Sequence, residues 1–70
     1  MSSPKELEKI AYNKSLFDDE QRTEAIIQLA NYVPSTEAVD ALSKIANDKF
    51  KFNSKQRKLA IKALGGKKKI

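Results

Sequence analysis

The sequence predicts an all-α fold: two helical hairpins stacked as consecutive repeats, four helices in a single domain spanning residues 1–70. Three observations predict it. The stretch Gln21–Ala30 returns thirty-five residues later as Gln56–Gly65, with Gln, Arg, Ala, Ile and Leu at matching places. The same offset pairs Leu7 with Leu42, Lys9 with Lys44, Ile10 with Ile45, Ala11 with Ala46, Lys14 with Lys49 and Phe17 with Phe52. Within each copy the apolar residues recur every three or four positions, the helical period, and capping residues stand at the boundaries. A fixed period of this length marks stacked helical units, each too thin to bury its own apolar face. The expected organisation is repeat one over 3–33, repeat two over 35–65 and a flexible basic tail over 66–70, in a right-handed stack.

Ser3-Pro4-Lys5-Glu6 opens the first helix. Ser3 caps it, Pro4 suits the first helical position, and Glu6 stands where it completes a capping box. Leu7, Ile10 and Ala11 give its apolar stripe, which ends near Asn13 or Lys14. Leu16 and Phe17 fall in the next turn, with Phe17 expected to plug the gap between helices. Asp18 opens the second helix, with Gln21 three residues on and Asp19 and Glu20 beside the positive helix end. Ala25, Ile26, Leu29, Ala30 and Val33 form its buried face, and Pro34 stops it. Ile27 lies off the centre of that face, where it either widens the stripe or meets a partner.

Ser35 or Thr36 caps the third helix, whose stripe is Ala38, Val39, Leu42, Ile45 and Ala46. Asn47 is assigned as a left-handed C-cap. Lys49 to Asn53 form the linker matching Lys14 to Asp18. Ser54 is expected to cap the fourth helix, with Leu59, Ala60, Ala63 and Leu64 on its stripe, Ile61 in register with Ile26, and Gly65-Gly66 at its end.

Composition narrows the function classes. With 40% hydrophobic and 33% charged residues the chain reads as globular rather than disordered. The absence of cysteine rules out a disulfide framework and thiolate metal sites, and fits an intracellular, cytoplasmic location. Histidine is absent too, which removes the commonest general base and neutral metal ligand. No apolar run approaches the roughly 20 residues of a membrane span, and no signal-peptide core opens the chain.

The net charge of +5 is unevenly spread. Residues 1–40 carry four basic residues against eight acids, a balance of −4, whereas residues 41–70 carry ten against Asp48 alone, a balance of +9. Such asymmetry points to a polyanionic or acidic partner for the second half.

The second helix of each copy resembles HEAT-like repeats, particularly the short variety of phycobilisome-lyase-type proteins. There an acid-rich turn is followed by Arg, an Ala–aliphatic pair, then Leu and a small residue, as in Asp18 through Ala30. The second copy keeps Arg57, Ala60, Ile61, Leu64 and Gly65 but has Asn53, Ser54 and Lys55 in place of the acids, which departs from any acid–Arg ladder. The resemblance implies a stack of hairpins that binds other proteins and carries few catalytic residues. In overall character, a tiny, cysteine-free, lysine-rich helical chain is similar to the small accessory subunits of crenarchaeal B-family DNA polymerases. That likeness implies an archaeal DNA-replication context, with no single motif carrying it.

No catalytic constellation is predicted, and no cofactor. Asp18, Asp19 and Glu20 form the one carboxylate cluster, but consecutive residues diverge around a helix start, so they read as a cap rather than a metal site. Gly65-Gly66 closes a helix instead of opening one, so it is no phosphate loop. Arg22 and Arg57 stand early in the second helix of each copy. Arg22 is read as structural, its stem along the inter-repeat groove and its guanidinium on a carbonyl or acid. Arg57 carries that reading and phosphate binding alike.

The candidate binding surface is Lys49, Lys51, Lys55, Arg57, Lys58 and Lys62, continued by Lys67, Lys68 and Lys69. A ridge of this kind neutralises phosphates and gives salt-dependent nucleic-acid affinity, while the bland alternative is a solvated lysine-rich surface. Phe50 matches Ser15, so no requirement of the repeat accounts for it. Between Lys49 and Lys51 it either stacks on a base or fills a partner's pocket, or folds back over the helix ends. Isolated stacks usually need three repeats, so two leave apolar surface at Ile27, Tyr12, Tyr32 or Val33 for a larger protein or a second copy. The expected function is a non-enzymatic accessory subunit of a nucleic-acid-processing complex, contacting its partner through Phe50 and Ile27. The alternative is a stand-alone, sequence-nonspecific DNA- or RNA-binding protein.

Overall fold

The computed structural model describes residues 3–66, and among these every regular element is a helix. In order they are α1 (Pro4–Tyr12), α2 (Asp19–Ala30), α3 (Thr36–Asn47) and α4 (Ser54–Gly66). α1 pairs with α2 and α3 with α4, and the two hairpins stack through α2 on α4, α1 on α3 and α2 on α3. The all-α, two-hairpin architecture expected from the period is therefore the one observed.

The repeat is legible in the hydrogen bonds as well as in the residue types. At the start of α2, Gln21 N–H donates to Asp18 Oδ1 (2.8 Å) and Asp18 N–H to Gln21 Oε1 (3.0 Å). At the start of α4 the same pair of bonds joins Asn53 and Gln56, at 2.8 and 3.0 Å. The cap of α4 is thus Asn53 and not Ser54, because the side chain must stand one residue before the first helical turn to reach the N3 amide. Ser35 caps α3 through Ala38 N–H. At α1 only half of the expected box forms: Ser3 Oγ accepts from Glu6 N–H, without a return bond from Glu6.

The turns inside the hairpins match too. Asn13 Oδ1 accepts from the amides of Ser15 and Leu16, and Asp48 Oδ1 from those of Phe50 and Lys51. These Asx turns end α1 and α3 without a left-handed residue. Asn47, read from the sequence as a left-handed C-cap, instead lies inside α3, and Asp48 caps it. α2 ends at Ala30, four residues before Pro34, and Val33 is buried from the next turn; the Val33–Pro34 peptide bond is cis. α4 continues through Gly66, so the glycine pair forms its last turn.

The core is one cluster running through both hairpins: Leu7, Ala11, Ala25, Ile26, Leu29, Val33, Ala38, Ala41, Leu42, Ile45, Phe52 and Ala60. Ala41 is the member that the apolar stripe missed. At the centre of the joint between repeats the ring of Phe52 meets the edge of Tyr12 at 5.1 Å, and the Arg22 guanidinium lies 5.1 Å from the centroid of that ring. Phe17, expected to fill the corresponding gap, is only half-buried, with no hairpin packed on that side among the described residues. Tyr12, expected at an outer surface, is drawn into the joint, and Val33, read both as part of the buried face and as outer surface, is buried in the core.

Arg22 is the polar element of that joint. It is 2% exposed, donating from Nε to Ala11 O (2.7 Å), from one terminal nitrogen to Asp19 (3.0 Å) and from the other to Lys51 O in the next repeat. Gln56 replies from α4, its Nε2 donating to Thr23 Oγ1 (3.1 Å) and Asp19 O (3.3 Å). Among the described residues no buried side-chain polar atom lacks a partner.

Candidate nucleic-acid interface

Stacking the hairpins sets their two inter-helix turns side by side, and between them lies an open pocket of about 290 Å³. Lys14 comes from the first turn; Lys49, Phe50 and Lys51 come from the second. Asp19, Arg22 and Gln56 form the inner wall, already engaged with one another across the joint. The structure therefore brings one lysine from the acidic half onto the basic surface. Sequence reasoning pairs Lys14 with Lys49 as equivalent turn residues and leaves it out of the site. The signal is present, because equivalent turns of adjacent repeats must be neighbours.

Phe50 is 86% exposed. Its backbone is nevertheless fixed, since its amide donates to Asp48 Oδ1 at 3.1 Å. It does not fold back over the helix ends. Lys49 and Lys51 flank it and are exposed, and Lys51 Nζ sits 5.5 Å from the centroid of the Tyr12 ring. Asp48, the last acid of the chain, uses one carboxylate oxygen to hold this turn. An exposed aromatic ring is thus carried between cations on a turn with a fixed backbone, which suits stacking on a base beside a contacted phosphate.

Lys55, Lys58 and Lys62 are exposed along α4. Their equivalents in repeat one are Glu20, Thr23 and Ile27, so one acid and two uncharged residues give way to three lysines. Arg57 is half-buried, its Nε donating to Phe52 O at 3.2 Å. Ile27 is 42% exposed, on the other repeat from Phe50. Lys67, Lys68 and Lys69 lie outside the described residues.

The acidic cluster divides as its spacing implied. Asp18 caps α2, Asp19 pairs with Arg22, and Glu20 faces solvent. Among the described residues no three His, Cys, Asp or Glu side chains come together as a metal site, and no helix is long and apolar enough to cross a membrane. No family model, curated protein or solved structure matches the chain. Geometry and charge therefore carry the functional argument.

Proposed function

We propose that this chain is a non-enzymatic module that holds single-stranded nucleic acid, without sequence preference, for a larger assembly in which it acts as a small accessory subunit. The observation that carries the reading is Phe50, 86% exposed on a pinned turn between Lys49 and Lys51, with Lys14 across the pocket. Lys55 extends the positive surface onto α4, and no acid follows Asp48. Such a surface contacts the backbone through its cations and a base through its ring, so affinity falls with salt while sequence matters little.

The test is fluorescence anisotropy of a labelled oligothymidine and of a duplex against purified protein over a salt series. Single-strand binding that weakens steeply with salt is expected. Phe50→Ala should weaken it about 5- to 100-fold, the worth of one base–aromatic stack. The pair Lys49→Glu and Lys55→Glu should flatten the salt dependence. Asp48→Asn sharpens the test: Asn13 shows that an amide holds the same turn, so the fold stays while the last acid goes, and affinity should rise. Absence of binding at low salt would overturn the reading and leave the basic surface to an acidic protein.

A further inference from the structure

We propose that the free end of the stack, the face of α4 turned away from α2, docks a helical segment of another protein, one with small or aliphatic residues at its centre and Asp or Glu along its margin. The comparison of repeats carries this inference, which does not rest on nucleic-acid binding. In repeat one, Ala11, Arg22, Ile26 and Leu29 are buried beneath the second hairpin. Thirty-five residues on stand Ala46, Arg57, Ile61 and Leu64, the same residue types with no hairpin above them among the described residues. Ile26 is 0% exposed and Ile61 56%; Ala46, Arg57 and Leu64 are only half-buried. Beside them the helix is open, for a Cβ built on Gly65 would meet nothing within 4 Å.

The opposite end differs on its helices. Where repeat two has Ala41, Leu59 and Ala63, repeat one has Glu6, Glu24 and Gln28, all exposed. A stack that needed no further contact would be polar at both ends. At the matching helix positions this one is polar at one end and apolar at the other, although Leu16 in the first turn is 75% exposed.

Charge selects the occupant. Exposed Lys58 and Lys62 border the free face, and Arg57 makes no hydrogen bond from its two terminal nitrogens among the described residues. The acid that pairs with Arg22 is Asp19, and its counterpart beside Arg57 is Ser54. Arg57 thus keeps one carbonyl bond, to Phe52 O, but lacks the carboxylate and the next-repeat carbonyl that its twin holds. A second copy fits poorly. Free end against free end sets lysines on lysines, and free end against the opposite end sets Glu24 and Gln28, where repeat two has Leu59 and Ala63, against Ile61. A different chain with an acidic margin satisfies both the apolar centre and the cations.

The test places a photo-crosslinking phenylalanine at position 61, or at position 27 as control, in the full chain expressed in its native cells, with crosslinked peptides mapped by mass spectrometry. The mapped segment is then made as a peptide and titrated against purified protein. The expected result is a crosslink from position 61 and not 27, to a helical acidic–aliphatic segment. That peptide should bind the wild type and lose at least tenfold in affinity with Ile61→Lys. Because Ile61 is exposed, this variant should keep its unfolding midpoint, and a fall in midpoint would be answered by Arg57→Gln instead. The pair Lys49→Glu and Lys55→Glu should retain peptide binding even where nucleic-acid binding is lost. A crosslink to nucleic acid, to a second copy, or to nothing at position 61 overturns the proposal.

Discussion

Arg22 and Arg57 occupy the same place in their repeats, yet one is buried and ties three segments together while the other rests half in solvent on a single bond to Phe52. The difference lies in whether another hairpin stacks on top. Arg22 has a second hairpin above it, whose Lys51 carbonyl and Phe52 ring complete its site. Arg57 has no such neighbour in the described chain. The same local sequence therefore yields a structural residue at one end and an available cation at the other. What a residue does in a repeat protein depends on its position along the stack as much as on its type.

The sharpest way to break this comparison is to remove each arginine. Arg22→Ala strips the joint of three hydrogen bonds and leaves the Ala11 and Lys51 carbonyls unpaired beside a cavity. It should cost about 3–5 kcal/mol, much of the stability available to a domain of this size. Arg57→Ala should cost about 0.5–1 kcal/mol, the worth of one partly solvated hydrogen bond. Urea unfolding followed by circular dichroism measures both. Equal losses would mean that the hairpins do not depend on the joint, and the comparison would fail.

Gln21 and Gln56 give a second contrast of the same form with a smaller effect. Both complete capping boxes, but only Gln56 also reaches back to Thr23 and the Asp19 carbonyl. Gln21→Ala should cost about 0.5 kcal/mol, a cap alone. Gln56→Ala should cost about 1–2 kcal/mol, since it also removes two hydrogen bonds across the joint made by a buried side chain. A Thr23→Ala background should recover part of the difference, because one acceptor of that bond is then gone.

The period, the four helices and most of the core are readable because stacking demands the same residue types at the same offset in both copies. The structural reading of Arg22 comes from the same logic. Ser54 and Asn47 mislead as caps, though the offset itself aligns Asn53 with Asp18 and Asp48 with Asn13. Individual propensity outranks register at those two places only if the offset is ignored. At the candidate site, Phe50 is legible as the residue that the repeat does not require. Lys14 is legible only through the repeat offset, which makes the two turns neighbours, and not through charge balance along the chain. Ile61 stays hidden. It looks like a core residue in sequence, and only the missing hairpin above it exposes it.

The smallest effect concerns Tyr12, which the second repeat replaces with Asn47. Tyr12 packs its ring edge against Phe52 and reports on the joint from its other side. Its phenol is pushed above the usual tyrosine value, first by burial and then by the Asp48 and Glu8 carboxylates. The folded state therefore holds the phenolic proton at a pH where the unfolded chain has begun to release it. Stability from this group is complete below about pH 10 and declines as pH rises past it toward the raised value. Tyr12→Phe keeps the ring contact and removes the titration. Lysine deprotonation acts on both proteins alike, so the difference between their urea midpoints isolates the phenol. That difference should be flat from about pH 7 to 9 and then shift in favour of Tyr12→Phe, by less than the Gln56 effect. Parallel curves up to about pH 11 would show Tyr12 to be solvated, and the joint looser on the α1 side than on the side held by Arg22.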